Sequence, residues 1–171
     1  MPAVPLIPPI MTLVNPVSTH PRIRLQVPSQ TDVPYLLALR RSTMDAHLVA
    51  QGIPADEAAH MARILYHWED ARLLRIDGEP AGLLKAYRGL IEGEDRWHVV
   101  QIQLAPGFQG KGWGEQVLRL VLDPADAQGL PVTLDVLKVN PARRLYERCG
   151  FVIDRESEHE YHMRRPGRTS V

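Results

Sequence analysis

The chain is 171 residues long, 44% apolar, and balances 20 Lys plus Arg against 20 Asp plus Glu. That length builds one sizeable core and is short for two, and the apolar share is ordinary for a soluble globular protein. With no net charge to hold a polyphosphate backbone, nucleic acid is not an expected partner.

Residues 1–20 contain Pro2, Pro5, Pro8, Pro9 and Pro16, a density that opposes both helix and central strand. The segment has neither a transmembrane span nor the charged start and unbroken apolar stretch of a signal peptide. It reads as an extended arm, packed on a neighbouring subunit or disordered, unless the native start is Met11. The expected organisation is this arm, one domain over 21–166, and a tail over 167–171. One cysteine cannot close an internal disulfide, which suits a reducing cytoplasm. The expected compartment is therefore cytoplasmic, with no membrane partner.

Past the arm, residues 23–27 alternate as a strand, and 29–32 supply helix-start residues ahead of 33–41. Residues 54–67 read as a second helix with Ala58, Met61, Ile64 and Leu65 on one stripe. Two strands follow at 71–76 and 81–87, joined by a turn at Asp77-Gly78. A loop rich in Gly and acid over 89–95 leads to a strand at 97–104. A helix starts at Gly114, which Pro124 ends or kinks. A strand at 132–137, a short helix at 141–149, and an antiparallel pair at 151–154 and 159–163 complete a mixed α/β order.

The stretch Gln109-Gly110-Lys111-Gly112-Trp113-Gly114 lies between a strand and a helix. Glycines let the backbone turn tightly and approach a ligand. The first N–H groups of the next helix have no partner within it, so the place suits a phosphate. It is not a Walker loop, because only Phe108 and Gln109 separate Gly107 from Gly110-Lys111 and no Ser or Thr follows the lysine. Nor is it a dinucleotide fingerprint, since these glycines fall at alternate positions.

Residues 134–151 carry a second signal. Asn140 suits an N-cap, Pro141 the first helical position and Gly150 the left-handed residue past the helix end. Ala142, Leu145 and Cys149 fall on one buried stripe, with Tyr146 beside it.

Gln109-x-x-Gly112-x-Gly114 resembles the acyl-CoA loop of the GNAT superfamily of acetyl-CoA-dependent N-acyltransferases. Asn140, Ala142-x-x-Leu145-Tyr146 and Gly150-Phe151 resemble its other signature, and the likeness covers about residues 23–165. It implies an α/β (α+β) fold with a central mixed, mostly antiparallel sheet, splayed between strands 4 and 5 and flanked by about four helices.

The resemblance also implies roles. Main-chain groups of Ile102, Gln103 and Leu104 would bind the pantetheine arm and polarise the acetyl carbonyl. Those of Gln109, Gly110, Lys111, Gly112, Trp113, Gly114 and Glu115 would take the pyrophosphate. Asn140 would contact the pantetheine, Arg143 would face the cofactor, and Tyr146 would protonate the departing thiolate. The base that neutralises the amine is left between Asp135, placed by alternation opposite Leu134 and Val136, His98, and a water chain.

The implied activity is N-acetylation of a primary amine in a ternary complex, a small amine or amino acid rather than a protein. Glu156, Glu158 and Glu160 fit a cationic amine or an edge strand guarded against aggregation. The alternative is a catalytically silent acyl-CoA-binding sensor or scaffold. No metal is expected, because His159 and His162 would face opposite sides of a strand and no metal-ligand spacing occurs. Cys149 reads as packing rather than a nucleophile. A homodimer through the last strands or the arm is compatible with the chain.

Overall fold

The computed structural model describes residues 20–168 and the backbone of Met11–Thr12. The arm expected over residues 1–20 therefore lies outside the described residues except at Met11, Thr12 and His20, as do the last three residues of the tail.

The elements run β1 Ile23–Gln26, α1 Val33–Ala50, α2 Glu57–Leu65, β2 Ala71–Ile76, β3 Glu79–Ile91, β4 Glu94–Leu104, α3 Trp113–Ala127, β5 Val132–Leu137, α4 Arg143–Arg148, β6 Val152–Glu156 and β7 Glu160–Arg165. The seven strands lie in the order β1-β2-β3-β4-β5-β7-β6. Every neighbouring pair is antiparallel except β4 with β5, which is parallel. Met11–Thr12 adds an eighth strand off this path, against Arg88 and Tyr87 of β3. This is the mixed, mostly antiparallel sheet with four α-helices implied by the resemblance. No helix among the described residues is long and apolar enough to cross a membrane.

Alternation along the strands gives the sheet two differently covered faces. On one, Val117, Leu118, Val121 and Leu122 of α3 pack on Leu84, Ala86, Val99, Leu134 and Val136. Complete burial of such side chains stabilises by roughly 1.5–3 kcal/mol each. On the other face, Leu36 and Leu39 of α1 and Ile64 of α2 cover Ala71, Leu73 and Leu83. α1 also runs against β4, and farther along this face stand polar side chains such as His98, Thr133 and Asp135.

Helix ends follow local chemistry. Asp56 caps α2 by accepting the Ala59 N–H at 2.9 Å. Gly150, with φ of 95°, follows α4, and the Phe151 N–H reaches back to the Tyr146 carbonyl at 3.0 Å, the Schellman closure.

Several expectations are corrected. Residues 89–95 are not a loop. β3 and β4 continue to Ile91 and from Glu94, and Glu92 and Gly93 (φ 50° and 82°) turn the hairpin in two residues. Positive φ at both central positions matches the strand twist. Pro124 does not end α3, which continues to Ala127. The proline removes one N–H near the end, while the Gln128, Gly129 and Leu130 N–H groups close the last turn and Ala125 is fully buried. The buried stripe of α2 holds His60 and Ile64, whereas Leu65 is 51% exposed. His60 goes inward because both its ring nitrogens find polar partners there. Finally, α1 extends to Ala50, α4 starts at Arg143, and β7 starts at Glu160, leaving His159 in the preceding turn.

Candidate active site

β4 and β5 pair only where Trp97, His98 and Val99 meet Val132, Thr133 and Leu134. Beyond Val99 the strands part, leaving the β5-facing edge of β4 through Ile102, Gln103 and Leu104 without a strand against it. Unpaired main-chain donors and acceptors on such an edge can take an extended ligand as an added strand. A cavity of about 280 Å³ fills the gap, lined by residues that include Ile102, Gln103, Asn140, Tyr146, Arg40 and Asp135.

The glycine-rich loop lies at the end of this edge. Gly110 and Gly112 have φ of 71° and 83°, where a side chain would strain the turn. Gly112 occupies the N-cap position of α3, so no side chain caps the helix. Its first N–H groups, from Trp113 to Glu115, are left to an outside acceptor. Gly114 has a different reason to be small, since a Cβ there would come 2.9 Å from Leu145 Cδ2 of α4. Gln109 donates from Nε2 to the Leu104 carbonyl at 2.9 Å, tying the loop to β4 and occupying that carbonyl. Lys111 is exposed, Glu115 pairs with Arg119 at 3.5 Å, and the Arg22 guanidinium lies 4.8 Å over the Trp113 ring.

Asn140 Oδ1 accepts the Ala142 N–H at 3.0 Å, fixing the turn that leads into α4. Tyr146 is 6% exposed, more inward than the stripe suggested, with its ring edge-on to Phe151. Burial pushes its phenol well above the usual tyrosine range. Arg143 turns its guanidinium to 5.2 Å over Tyr161 and pairs with Glu147. Burial also pushes the Cys149 thiol up, which leaves it a poor nucleophile.

Asp135 and His98 share the sheet face opposite α3. His98 lines a second pocket of about 220 Å³, with Nδ1 2.9 Å from Thr133 Oγ1. Burial pushes its imidazole below the usual range, and Arg96, His67 and Arg63 act in the same direction against Asp135. Asp135 lines both this pocket and the cavity that reaches Tyr146, and His98 lines only the first. His162 Nδ1 donates to Asp135 Oδ1 at 2.6 Å, because β5 and β7 pair these two residues directly. No local pattern announces that partnership, since strand order decides it.

Other buried polar groups also escaped the sequence reading. Arg40 donates from Nε to His60 Nδ1 at 3.1 Å, and His60 Nε2 lies 2.6 Å from Asp45 Oδ1. Lys85, fully buried, donates to the carbonyls of Arg63, Ile64 and Tyr66 at 3.1, 2.7 and 2.6 Å, closing the end of α2. Next in the chain, His67 has a left-handed φ of 52° and stacks on Tyr87 at 4.6 Å. His67, Glu69 and Asp70 have ligand atoms within 4.8 Å of one another. His67 Nδ1 bonds Asp70 Oδ2 at 2.8 Å.

An open-edged strand beside the cavity, an uncapped helix start and a buried tyrosine are what the fold brings to this site. The profile of the acetyltransferase (GNAT) family matches residues 37–151, and the chain belongs to that family. It is an acyltransferase. No curated protein sequence matches it. Among solved structures it is similar to an acetyltransferase from Thermus thermophilus, with 23% identity, a TM-score of 0.66, and 85% of this chain and 97% of that one covered. It is also similar to the PaiA N-acetyltransferase of Thermoplasma acidophilum in complex with coenzyme A, with 15% identity, a TM-score of 0.62, and 84% and 98% covered. Naa50 of Arabidopsis thaliana, in complex with the bisubstrate analogue CoA-Ac-MVNAL, gives 17% identity, a TM-score of 0.59, and 84% and 98% covered.

Proposed function

We propose that this chain is a cytoplasmic N-acetyltransferase that moves the acetyl group of acetyl-CoA onto a small primary amine, with residues 21–166 as its catalytic domain. The observation that carries this reading is that Asp135 and Tyr146 line one cavity at the point where β4 and β5 part. The open edge of β4 takes the pantetheine, and the N–H groups from Gln109 to Glu115 take the pyrophosphate. Asn140, its Oδ1 engaged in the turn, contacts the pantetheine through its amide nitrogen.

In the ternary complex Asp135, oriented by His162, accepts a proton from the ammonium. The nitrogen lone pair then attacks the thioester carbon, and the C–S bond breaks. The departing thiolate takes the phenolic proton of Tyr146, and the second proton, which the nitrogen sheds as the amide forms, restores the phenol by way of solvent. The burial that raises the phenol also raises a nascent thiolate beside it, so the transfer does not need the phenol's acidity in water.

The cavity lies at the lower edge of the roughly 300–1,000 Å³ typical of small-molecule sites, which favours a compact acceptor over a protein. β6 is exposed at all five residues, with Val152 at 61%, and a homodimer through this edge belongs to the same proposal.

The test is a thermal-shift titration with acetyl-CoA, CoA and ATP, because a ligand that binds only the folded state raises its melting temperature. Acetyl-CoA and CoA should stabilise, ATP should not, and amines should then release free thiol. Stabilisation without thiol release from any amine would mark a silent acyl-CoA binder. Absence of any shift overturns the reading.

A further inference from the structure

The cavity between β4 and β5 separates charge. Its helical wall carries two cations, Arg40 of α1 and Arg63 of α2, and its strand wall carries two carboxylates, Asp135 of β5 and Glu160 of β7. Among the described residues no ion pair joins the two walls.

Arg40 is 8% exposed, and its one hydrogen bond runs from Nε to His60. Its terminal nitrogens, the fork that binds a carboxylate with two parallel bonds, have no protein partner among the described residues. Burial, with Arg63 beside it, pushes the guanidinium down to about 10 against the opposing charge of Asp45. His60, 0% exposed, holds Arg40 in place and is itself held by Asp45. Among the described residues Arg63 reaches the Val100 carbonyl, at 3.4 Å, and the Tyr66 ring. Between the walls, Gln101 is 8% exposed and its Oε1 is buried with no hydrogen-bond partner, an acceptor suited to an N–H donor.

We propose that this cavity takes a zwitterionic acceptor, an amino acid or a close amino-carboxylate, with its carboxylate on Arg40 and Arg63 and its amino group on the side of Asp135 and Gln101. The assignment rests on the acetyltransferase reading and adds the acceptor's chemical class. Burying one arginine without an anion is costly, and a second beside it adds repulsion that a bound carboxylate removes. The ammonium end meets the acids, so both charges are compensated and the nitrogen lies beside the base. His60 and Asp45 are positioning residues, acting on the acceptor through Arg40.

The test compares kcat/KM for three forms of one acceptor: L-alanine, L-alaninamide and ethylamine, with the serine and leucine sets in parallel. The free acid should exceed both the amide and the amine by roughly 100-fold in at least one set, since a site with buried donors discriminates strongly against a ligand lacking their partner. In Arg40→Gln that ratio should fall toward one. Asp45→Asn, altering a side chain that is 44% exposed, should raise KM for the acid more than it lowers kcat.

Amides or a short peptide used as well as or better than the acids would overturn the proposal, as would an Arg40→Gln variant that weakens all three forms equally. Should Arg40→Gln not fold, Arg63→Gln serves in its place, and the wild-type comparison stands by itself. A separate outcome identifies failure of the underlying reading: neither acetyl-CoA nor CoA shifts the melting temperature. If both do, and only amines lacking a carboxylate are acetylated, the acceptor class alone is wrong.

Discussion

His162 Nδ1 lies 2.6 Å from Asp135 Oδ1 and fixes that carboxylate on the polar face of the sheet, at the edge of the cavity that holds Tyr146. Asp135 thereby lines both that cavity and the neighbouring pocket. His98, one strand away, is shut into the neighbouring pocket and bonded to Thr133. Asp135→Asn should lower kcat/KM by roughly 100-fold or more, the usual yield of a positioned base, while His98→Gln should have a much smaller effect. Steady-state kinetics on folded variants decide the matter, and a loss in His98→Gln as deep as that in Asp135→Asn would move the base to His98.

Tyr146→Phe should reduce kcat by roughly 100-fold with no change in acetyl-CoA affinity measured by calorimetry. Because burial raises the phenol above its ordinary value of 10.0, the proton-bearing form persists through alkaline pH. The wild-type kcat should therefore show no decline from this group below pH 10. A tyrosine-dependent alkaline limb at lower pH would contradict the burial argument.

Lys85→Met should cost about 2–4 kcal/mol, since it strands three carbonyls at the end of α2. Burial, with Arg63 and Arg40 nearby, pushes the Lys85 ammonium from 10.5 down to about 8. Between those values the unfolded chain binds more protons than the folded one, so stability contributed by this group rises with pH through that window. Wild type should thus gain on Lys85→Met from about pH 8 to 10.5 in parallel thermal melts. A constant gap between the two curves would contradict the assignment.

Gly112→Ala places a side chain at φ of 83° and should destabilise by about 1–2 kcal/mol. The strain falls on the turn that aims the α3 N–H groups, so acetyl-CoA binding should weaken while the acceptor KM stays put. Calorimetry with acetyl-CoA and initial rates against the acceptor separate the two effects. Unaltered acetyl-CoA affinity would remove this loop from the site.

The sequence by itself determined whatever depends on a few adjacent residues. Gly150 ends α4 and alternation sets Asp135 opposite Leu134 and Val136, because capping and side-chain direction are properties of a single turn or strand. Local reading failed at Glu92-Gly93, where a glutamate adopts a left-handed conformation that nothing in its type announces, and Pro124 does not end its helix because groups beyond it hold the turn. Only the tertiary structure decided which side chains meet. Asp135 and His162 are 27 residues apart, Arg40 and His60 are 20, and Lys85 reaches back 19 to 22 residues to the end of α2. Each meeting follows from strand order, register and the seating of α1 and α2 on the sheet, and those are settled by burying the whole core at once rather than by any one segment.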